Sequence, residues 1–347
     1  MSTFSFAAER YDRRANAYFD YTIIYYRGQG GNELEVIENK SKRRFAARGS
    51  TKLTLGQLYA GSKVAINAFQ FTIVDYNDEA TRTALSKLHE TTLGIVQGMS
   101  FASLGKIMTA ATGFGFTITR LQTINVSAAA QGVLRGAGLR VARGPAAFMV
   151  LLRPGAVEEW QKLKNRFGSP EDVHGSADAE VAAAEIDHVF NSDLLAKETS
   201  AHTDKKSSLC LIKPHAVAAG HGGAIVQQLI DNLHVSAVEL INLSKEDALE
   251  FLTCYRGVLP EFSAQVAALY SGPAVAVEVW DDSPEVDVVG ALRQIAGPFD
   301  VTCAQCLAPD SLRAKYGENN VENAVHVTDL PTDGQIETNF FFRVLKT

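Results

Sequence analysis

Asn323-Ala-Val-His326, running on through Val327-Thr328-Asp-Leu-Pro331 to Phe340-Phe-Phe342, is the stretch on which the reading of this chain turns. Ahead of it, Leu209-Cys-Leu-Ile212 has the apolar continuity of a buried strand and ends at Lys213-Pro214. Gly222-Gly223 open a helix whose Ile225, Val226, Leu229, Ile230 and Leu233 fall on one face. Val235 to Leu243 reads as a strand, and Ser244-x-x-Asp247 has the form of a capping box for the next helix. Gly272-Pro273 then lead into the apolar strand Ala274 to Val279. The same order occurs earlier in the chain. Thr92-Leu-Gly-Ile-Val96 is strand-like, a helix starts near Leu104, Phe116-Thr-Ile-Thr is strand-like, and Gly144-Pro145 lead into Ala146 to Leu152. Two copies of one α/β unit follow from this, joined by a polar, alanine-rich linker near Ser192 to Ser208.

Residues 1 to 88 have a different texture and read as a β-rich unit. Tyr21 to Tyr26 is aromatic and β-branched, Arg27-Gly-Gln-Gly-Gly-Asn32 is a turn, and Glu33-Leu-Glu-Val-Ile-Glu38 is the returning strand of a hairpin. A further strand, Phe71 to Asp75, ends at Asn77-Asp78. Lys40, Lys42, Arg43 and Arg44 form a basic cluster between strands; a solvated turn is the ordinary reading, a contact for an acidic partner the sharper one.

Composition sets outer limits. At 347 residues the chain exceeds one ordinary core, so two or three domains are expected. Hydrophobic residues at 46% and charged residues at 21% are the balance of a globular protein, and a net charge of −6 gives no electrostatic reason to expect nucleic acid. The longest apolar run, Ala146 to Leu152, is too short to span a bilayer, and no secretory leader is visible, so an intracellular protein without membrane contact is expected. Cys303-x-x-Cys306 lacks the second ligand pair of a zinc site, and Cys210 and Cys254 do not supply one; reduced structural thiols and no protein-held metal are expected.

The second copy resembles the nucleoside diphosphate kinase family over residues 207 to 345, on the joint order of Lys213, Gly272-Pro273, Arg293, Arg313, Asn323, His326 and Glu337. The resemblance implies a ferredoxin-like fold and transfer of a γ-phosphoryl group through a phosphohistidine at His326. Glu337, eleven residues on, would orient the imidazole. Lys213, Arg293 and Arg313 would hold phosphates, Asn323 the ribose end, and Thr328 stands where the family usually has a serine beside the carboxylate. Mg²⁺ would accompany ATP or GTP. There are departures. Thr253 occupies the position of a phosphate-contacting tyrosine, with Tyr255 close by; Glu261 replaces a base-stacking phenylalanine, Phe299 a phosphate-contacting threonine, and Val327 a glycine.

The first copy, residues 91 to 191, resembles the same family with its site eroded. Gln97-Gly98 replace Lys-Pro. His174-Gly-Ser176 and Glu185 keep the histidine and carboxylate spacing, but only five residues separate Gly168 from His174, where the second copy holds its nucleotide loop. This copy is expected to be structural and inactive.

The whole order is similar to the ciliary members of the family, which join a DM10 module of pleckstrin-like fold to two kinase-like domains. Glu9-Arg-Tyr-Asp12, Tyr25-Tyr26, Leu55-x-x-Leu58-Tyr59-x-Gly61-x-Lys63-Val64 and Val74-Asp-Tyr-x-Asp78 carry the likeness in the first unit, and Tyr255-Arg-Gly-Val258 in the last. An α+β protein of the doublet microtubules of cilia or flagella is implied, mainly structural, contacting tubulin and other inner axonemal proteins. A working kinase and a non-catalytic nucleotide sensor are the alternatives. A monomer or a heteromeric assembly is expected, because flanking domains would crowd the hexamers common in the family.

Overall fold

The structure is a computed structural model that describes residues 2–346 apart from 13–14, 29, 68, 193–194, 196–197, 203–205, 282 and 284. The chain divides into two compact units, Met1–Glu90 and Thr91–Thr347.

The first unit is one six-stranded antiparallel sheet. Strands β1 (Ser2–Asp12), β2 (Ala17–Gly28), β3 (Gly31–Glu38), β4 (Arg44–Ser50), β5 (Lys63–Ile66) and β6 (Phe69–Tyr76) lie in the order β4-β3-β2-β1-β6-β5. In β2 the alternation places Tyr21, Ile23 and Tyr25 inward, against Phe6, Phe71 and Ile73. Helix α1 (Glu79–Ser86) begins where the Asp78 carboxylate accepts the Thr81 N–H at 2.7 Å. Lys40, Lys42, Arg43 and Arg44 are all exposed at the turn into β4, with Lys42 at φ 56°.

The second unit holds both α/β copies. The first comprises β7 (Thr91–Gln97), α2 (Leu104–Gly113), β8 (Thr117–Val126), α3 (Ala128–Gly136), β9 (Gly144–Leu152), α4 (Ala156–Lys164), β10 (Val173–Gly175) and α5 (Ala179–Phe190). The second opens with β11 (Lys206–Ile212), α6 (Pro214–Ala218), α7 (Gly222–Asn232), β12 (His234–Ile241), α8 (Lys245–Leu252) and α9 (Phe262–Leu269). It closes with β13 (Ala274–Asp281), α10 (Val288–Ala296), α11 (Val301–Leu307), α12 (Leu312–Tyr316), β14 (Val325–Val327) and α13 (Gly334–Phe342). Each copy is an antiparallel ferredoxin-like sheet with its four strands in the spatial order fourth, first, third, second.

The two sheets are continuous. Gln122 of β8 pairs with Glu239 of β12, giving one eight-stranded sheet, β10-β7-β9-β8-β12-β13-β11-β14. Above the seam α2 crosses α7 at Gly105 and Gly223, where a β-carbon on either glycine would lie within 2.7 Å of the other's carbonyl oxygen. Gly223 is therefore required by a close helix crossing as well as standing at a helix start. The Gln227 amide seals the crossing, accepting the Lys106 N–H at 3.1 Å and donating to the Ala102 carbonyl at 3.1 Å.

The expected linker ends earlier than Ser208. Lys206, Ser207 and Ser208 belong to β11, paired with Asp281, Trp280 and Val279, and both serines are buried. The Ser207 hydroxyl finds Thr338 and the buried Glu278, whereas the Ser208 hydroxyl is buried without a hydrogen-bond partner. The Ser244–Asp247 capping box is present, with the Ser244 hydroxyl accepting the Asp247 N–H at 3.0 Å.

Candidate active site

His326 stands at the middle of β14, an edge strand paired only to β11 among the described strands, with its partner Leu211 directly opposite. Its backbone approach is constrained. Ala324, two residues before it, is wholly buried and has φ 68°, a left-handed conformation that a non-glycine residue adopts only when its surroundings enforce it.

The ring of His326 is fixed from two sides. Phe251 and Tyr255 meet it edge-on at centroid distances of 4.9 and 5.5 Å. Behind it, Nε2 faces both carboxylate oxygens of Glu337 at 3.4 Å. The Thr328 hydroxyl donates to Glu337 Oε2 at 2.8 Å while accepting the Leu209 N–H at 3.0 Å. The Tyr255 hydroxyl donates to Glu337 Oε1 at 2.8 Å. Burial alone would raise the Glu337 carboxyl, but the hydrogen bond and charge of His326, then the Thr328 and Tyr255 hydroxyls, outweigh it and hold it below its ordinary value. Burial and the neighbouring Glu337 charge raise the Tyr255 phenol, which keeps it a donor. An ionised carboxylate against Nε2 favours the Nε2–H tautomer and leaves Nδ1 as the basic nitrogen.

In front of His326 lies a cavity of about 540 Å³. Lys213, Arg293 and Arg313 all line it, with Tyr255, Gln265, Phe299 and Asp329. Lys213 is 3% exposed; its Nζ donates to Gln265 Oε1 at 2.9 Å and to the Val321 carbonyl at 2.8 Å. Desolvation, then repulsion from Arg313, depresses it to about 7. Arg313 is 8% exposed, bonded to the Gly297 and Val325 carbonyls, and lowered to about 10, chiefly by burial. Its Nε is buried with no hydrogen-bond partner. Arg293 is exposed and anchored to the Asp329 carbonyl at 2.9 Å. Two arginines and a lysine thus line one cavity with an oriented imidazole, which suits a polyanion attacked at one end.

Three of the sequence-derived site residues, Asn323, Thr328 and, behind His326, Glu337, do not line this cavity. Asn323 is wholly buried beneath it, its Nδ2 donating to the Phe299 carbonyl at 3.2 Å and its Oδ1 unpartnered. In this conformation its side chain is closed off from solvent, one residue before the positive-φ Ala324. Thr328 serves Glu337 from behind the histidine. Phe251 and Gln265 were not legible as site residues; the signal for Gln265 is a glutamine directly before the buried Val266 of α9.

The first copy keeps the back of this arrangement and has lost the front. His174 Nε2 lies 3.1 Å from Glu185 Oε2, the Ser176 hydroxyl donates to the same oxygen at 2.7 Å, and Leu93 N–H donates to Ser176 at 3.1 Å. Gln97, in the lysine position, is tied to the Arg140 and Glu171 carbonyls and accepts the Ala142 N–H. Besides the shortened Gly168–His174 loop, no helix follows α3 where α9 follows α8. Two segments that line the cavity of the second copy, α9 and the stretch before β14, therefore have no full counterparts among the described residues here.

The family model for nucleoside diphosphate kinase matches residues 206–346. Nucleoside diphosphate kinase homolog 7 of Rattus norvegicus is 31% identical over 374 residues, covering 99% of this chain and 93% of the rat protein. The protein of the same name from Mus musculus is 30% identical with the same coverage. A nucleoside diphosphate kinase of Aquifex aeolicus is 32% identical over 140 residues, 40% of this chain and 95% of that protein. With an oriented histidine, a cationic cavity and a full-length relative all in agreement, the chain belongs to the nucleoside diphosphate kinase family.

Proposed function

We propose that the C-terminal copy transfers the γ-phosphoryl group of a nucleoside triphosphate to a diphosphate through His326. The observation that supports this reading is the His326–Glu337–Thr328–Tyr255 set behind a cavity lined by Lys213, Arg293 and Arg313. In the first half-reaction Nδ1 attacks the γ-phosphorus, the bond to the bridging oxygen breaks, and the diphosphate leaves with the electron pair. The second half-reaction reverses this onto another diphosphate. Glu337 holds the Nε2 proton throughout and stabilises the charge that develops on the ring. Magnesium would arrive with the nucleotide: Lys213, Arg293 and Arg313 line the cavity against the carboxylate of Asp329, which fits phosphate oxygens better than a bare metal ion.

The test is a phosphoenzyme assay with γ-labelled ATP and Mg²⁺. Label should appear in wild type and in His174→Ala, vanish in His326→Ala, be lost in acid, and be chased by GDP. Absence of label in folded wild-type protein would overturn the proposal.

A second reading concerns the rest of the chain. The match to homolog 7 runs through the first unit and the first copy, where Gln97 stands in place of the lysine. That favours a scaffold role beside the chemistry. On this reading the first unit is a DM10 module, and the protein resides in the doublet microtubules of cilia or flagella, against tubulin and other inner proteins. Salt-extracted full-length protein should re-pellet with stripped doublets; a purely soluble fraction at low salt would count against it.

A further inference from the structure

We infer that His215 is a positioning residue for His326, acting as a clamp on the strained Ala324 backbone. The inference rests on the phosphotransfer reading above. His215 follows Lys213-Pro214 on the first turn of α6, and its Nε2 accepts the Ala324 N–H at 3.2 Å. From the same segment, Lys213 N–H donates to the Ala324 carbonyl at 2.9 Å. Both polar backbone groups of the one residue with positive φ in this loop are thus held by Lys213 and His215. The next two residues are Val325 and the nucleophile. The segment that carries the phosphate-facing lysine therefore also sets the approach of the histidine.

The clamp requires a particular form of the imidazole. To accept from Ala324, Nε2 must be bare, so the proton sits on Nδ1. Nδ1 is buried on the side of the Glu322 carbonyl, without a well-formed hydrogen bond. Protonation would set an N–H against the Ala324 N–H. Burial opposes this; the Glu322 charge favours it, while Lys213 and His221 oppose it, and the balance lowers His215 to about 4. The acceptor form therefore persists at neutral pH.

The experiment uses the full chain as wild type, His215→Gln and His215→Leu. Glutamine places an oxygen close to the Nε2 position and does not titrate. A displaced nucleophile should lower the rate of His326 phosphorylation by about 10- to 100-fold in His215→Leu while ATP affinity stays within about threefold. His215→Gln should recover most of that rate. An unchanged rate in His215→Leu, or equal losses in both variants, would overturn the inference. Nitrogen NMR of the His215 imidazole supplies a readout independent of activity: a protonated Nδ1 with a bare Nε2 at neutral pH supports the clamp, and the opposite tautomer overturns it. That measurement also decides the matter should His215→Leu not fold. Wild type that is never phosphorylated by ATP would instead sink the phosphotransfer reading, with the tautomer still reporting on the clamp.

Discussion

Gly105 and Gly223 meet backbone to backbone: a β-carbon at Gly105 would lie 2.5 Å from the Gly223 carbonyl oxygen, and one at Gly223 would lie 2.7 Å from the Gly105 carbonyl oxygen. They occupy the second positions of α2 and α7 and fix how the two copies join. Apart from the Thr109 hydroxyl near Gly223, their obstacles are main-chain atoms, which cannot rotate away. Alanine at either position should therefore destabilise the second unit by about 1–3 kcal/mol, the usual cost of overpacking. Gly132, inside α3 with nothing within 4 Å of an added β-carbon, is the control, and alanine there should be neutral or stabilising by up to about 1 kcal/mol. Denaturant unfolding of the three variants checks both statements, and equal effects at Gly105 and Gly132 would refute the crossing argument.

The repeat and most of the site are legible in the sequence because they rest on short-range chemistry. Apolar runs bounded by Gly-Pro mark the strands of each copy, and the eleven-residue step from His326 to Glu337 is met by a strand followed by a helix that folds back on it. The seam is another matter. Gln122 and Glu239 are polar residues on otherwise unremarkable strands, and nothing local says that these two edges pair. Asn323 shows the limit of reading by motif: its position in the Asn-Ala-Val-His run suggests a ligand contact, while the fold buries it and ties its Nδ2 to the Phe299 carbonyl. His215 is invisible for the same reason, since its partner is a backbone N–H more than a hundred residues away.

Thr328 links β11 to the carboxylate behind His326. Replacing it with valine preserves shape but leaves the Leu209 N–H and one Glu337 oxygen short of a partner in a buried place. The expected cost is about 1–3 kcal/mol of stability, with a slower phosphorylation of His326. Serine, which already fills this role as Ser176 in the first copy, should restore both. Equilibrium unfolding and the phosphoenzyme assay, run together, separate the two effects; valine behaving like serine would show that the hydroxyl is idle.

Tyr255→Phe removes one of the two hydroxyl donors on Glu337. Glu337 is held below its ordinary value in the folded state, so its contribution to stability is present above the unfolded value and is lost as pH falls through the folded one. Weakening the depression should make Tyr255→Phe less stable than wild type at pH 7, by about 1.5–3 kcal/mol, with the gap narrowing in acid. Urea unfolding at neutral and at acidic pH measures the gap; a gap constant with pH would mean that the phenol acts by packing alone.

Lys213 titrates at about 7 in the folded protein against an ordinary value of 10.5, so between those values the unfolded chain binds the extra proton. Stability of the ligand-free protein therefore rises with pH across this window, relative to Lys213→Met, which lacks the group. A bound triphosphate reverses the local electrostatics by replacing water and the Arg313 repulsion with negative charge, so the lysine regains its proton on binding. Below about pH 7 the amine is already charged and affinity should be flat. Above it, each binding event must take up a proton, and Kd for ATP should climb by up to about tenfold per pH unit. Calorimetry in buffers of different ionisation enthalpy at pH 8 would count that proton directly. Uptake of about one proton, absent in Lys213→Met, is the expected result; no uptake would mean that the amine is charged before nucleotide arrives and that Gln265 and Val321 hold an ammonium, not a neutral amine.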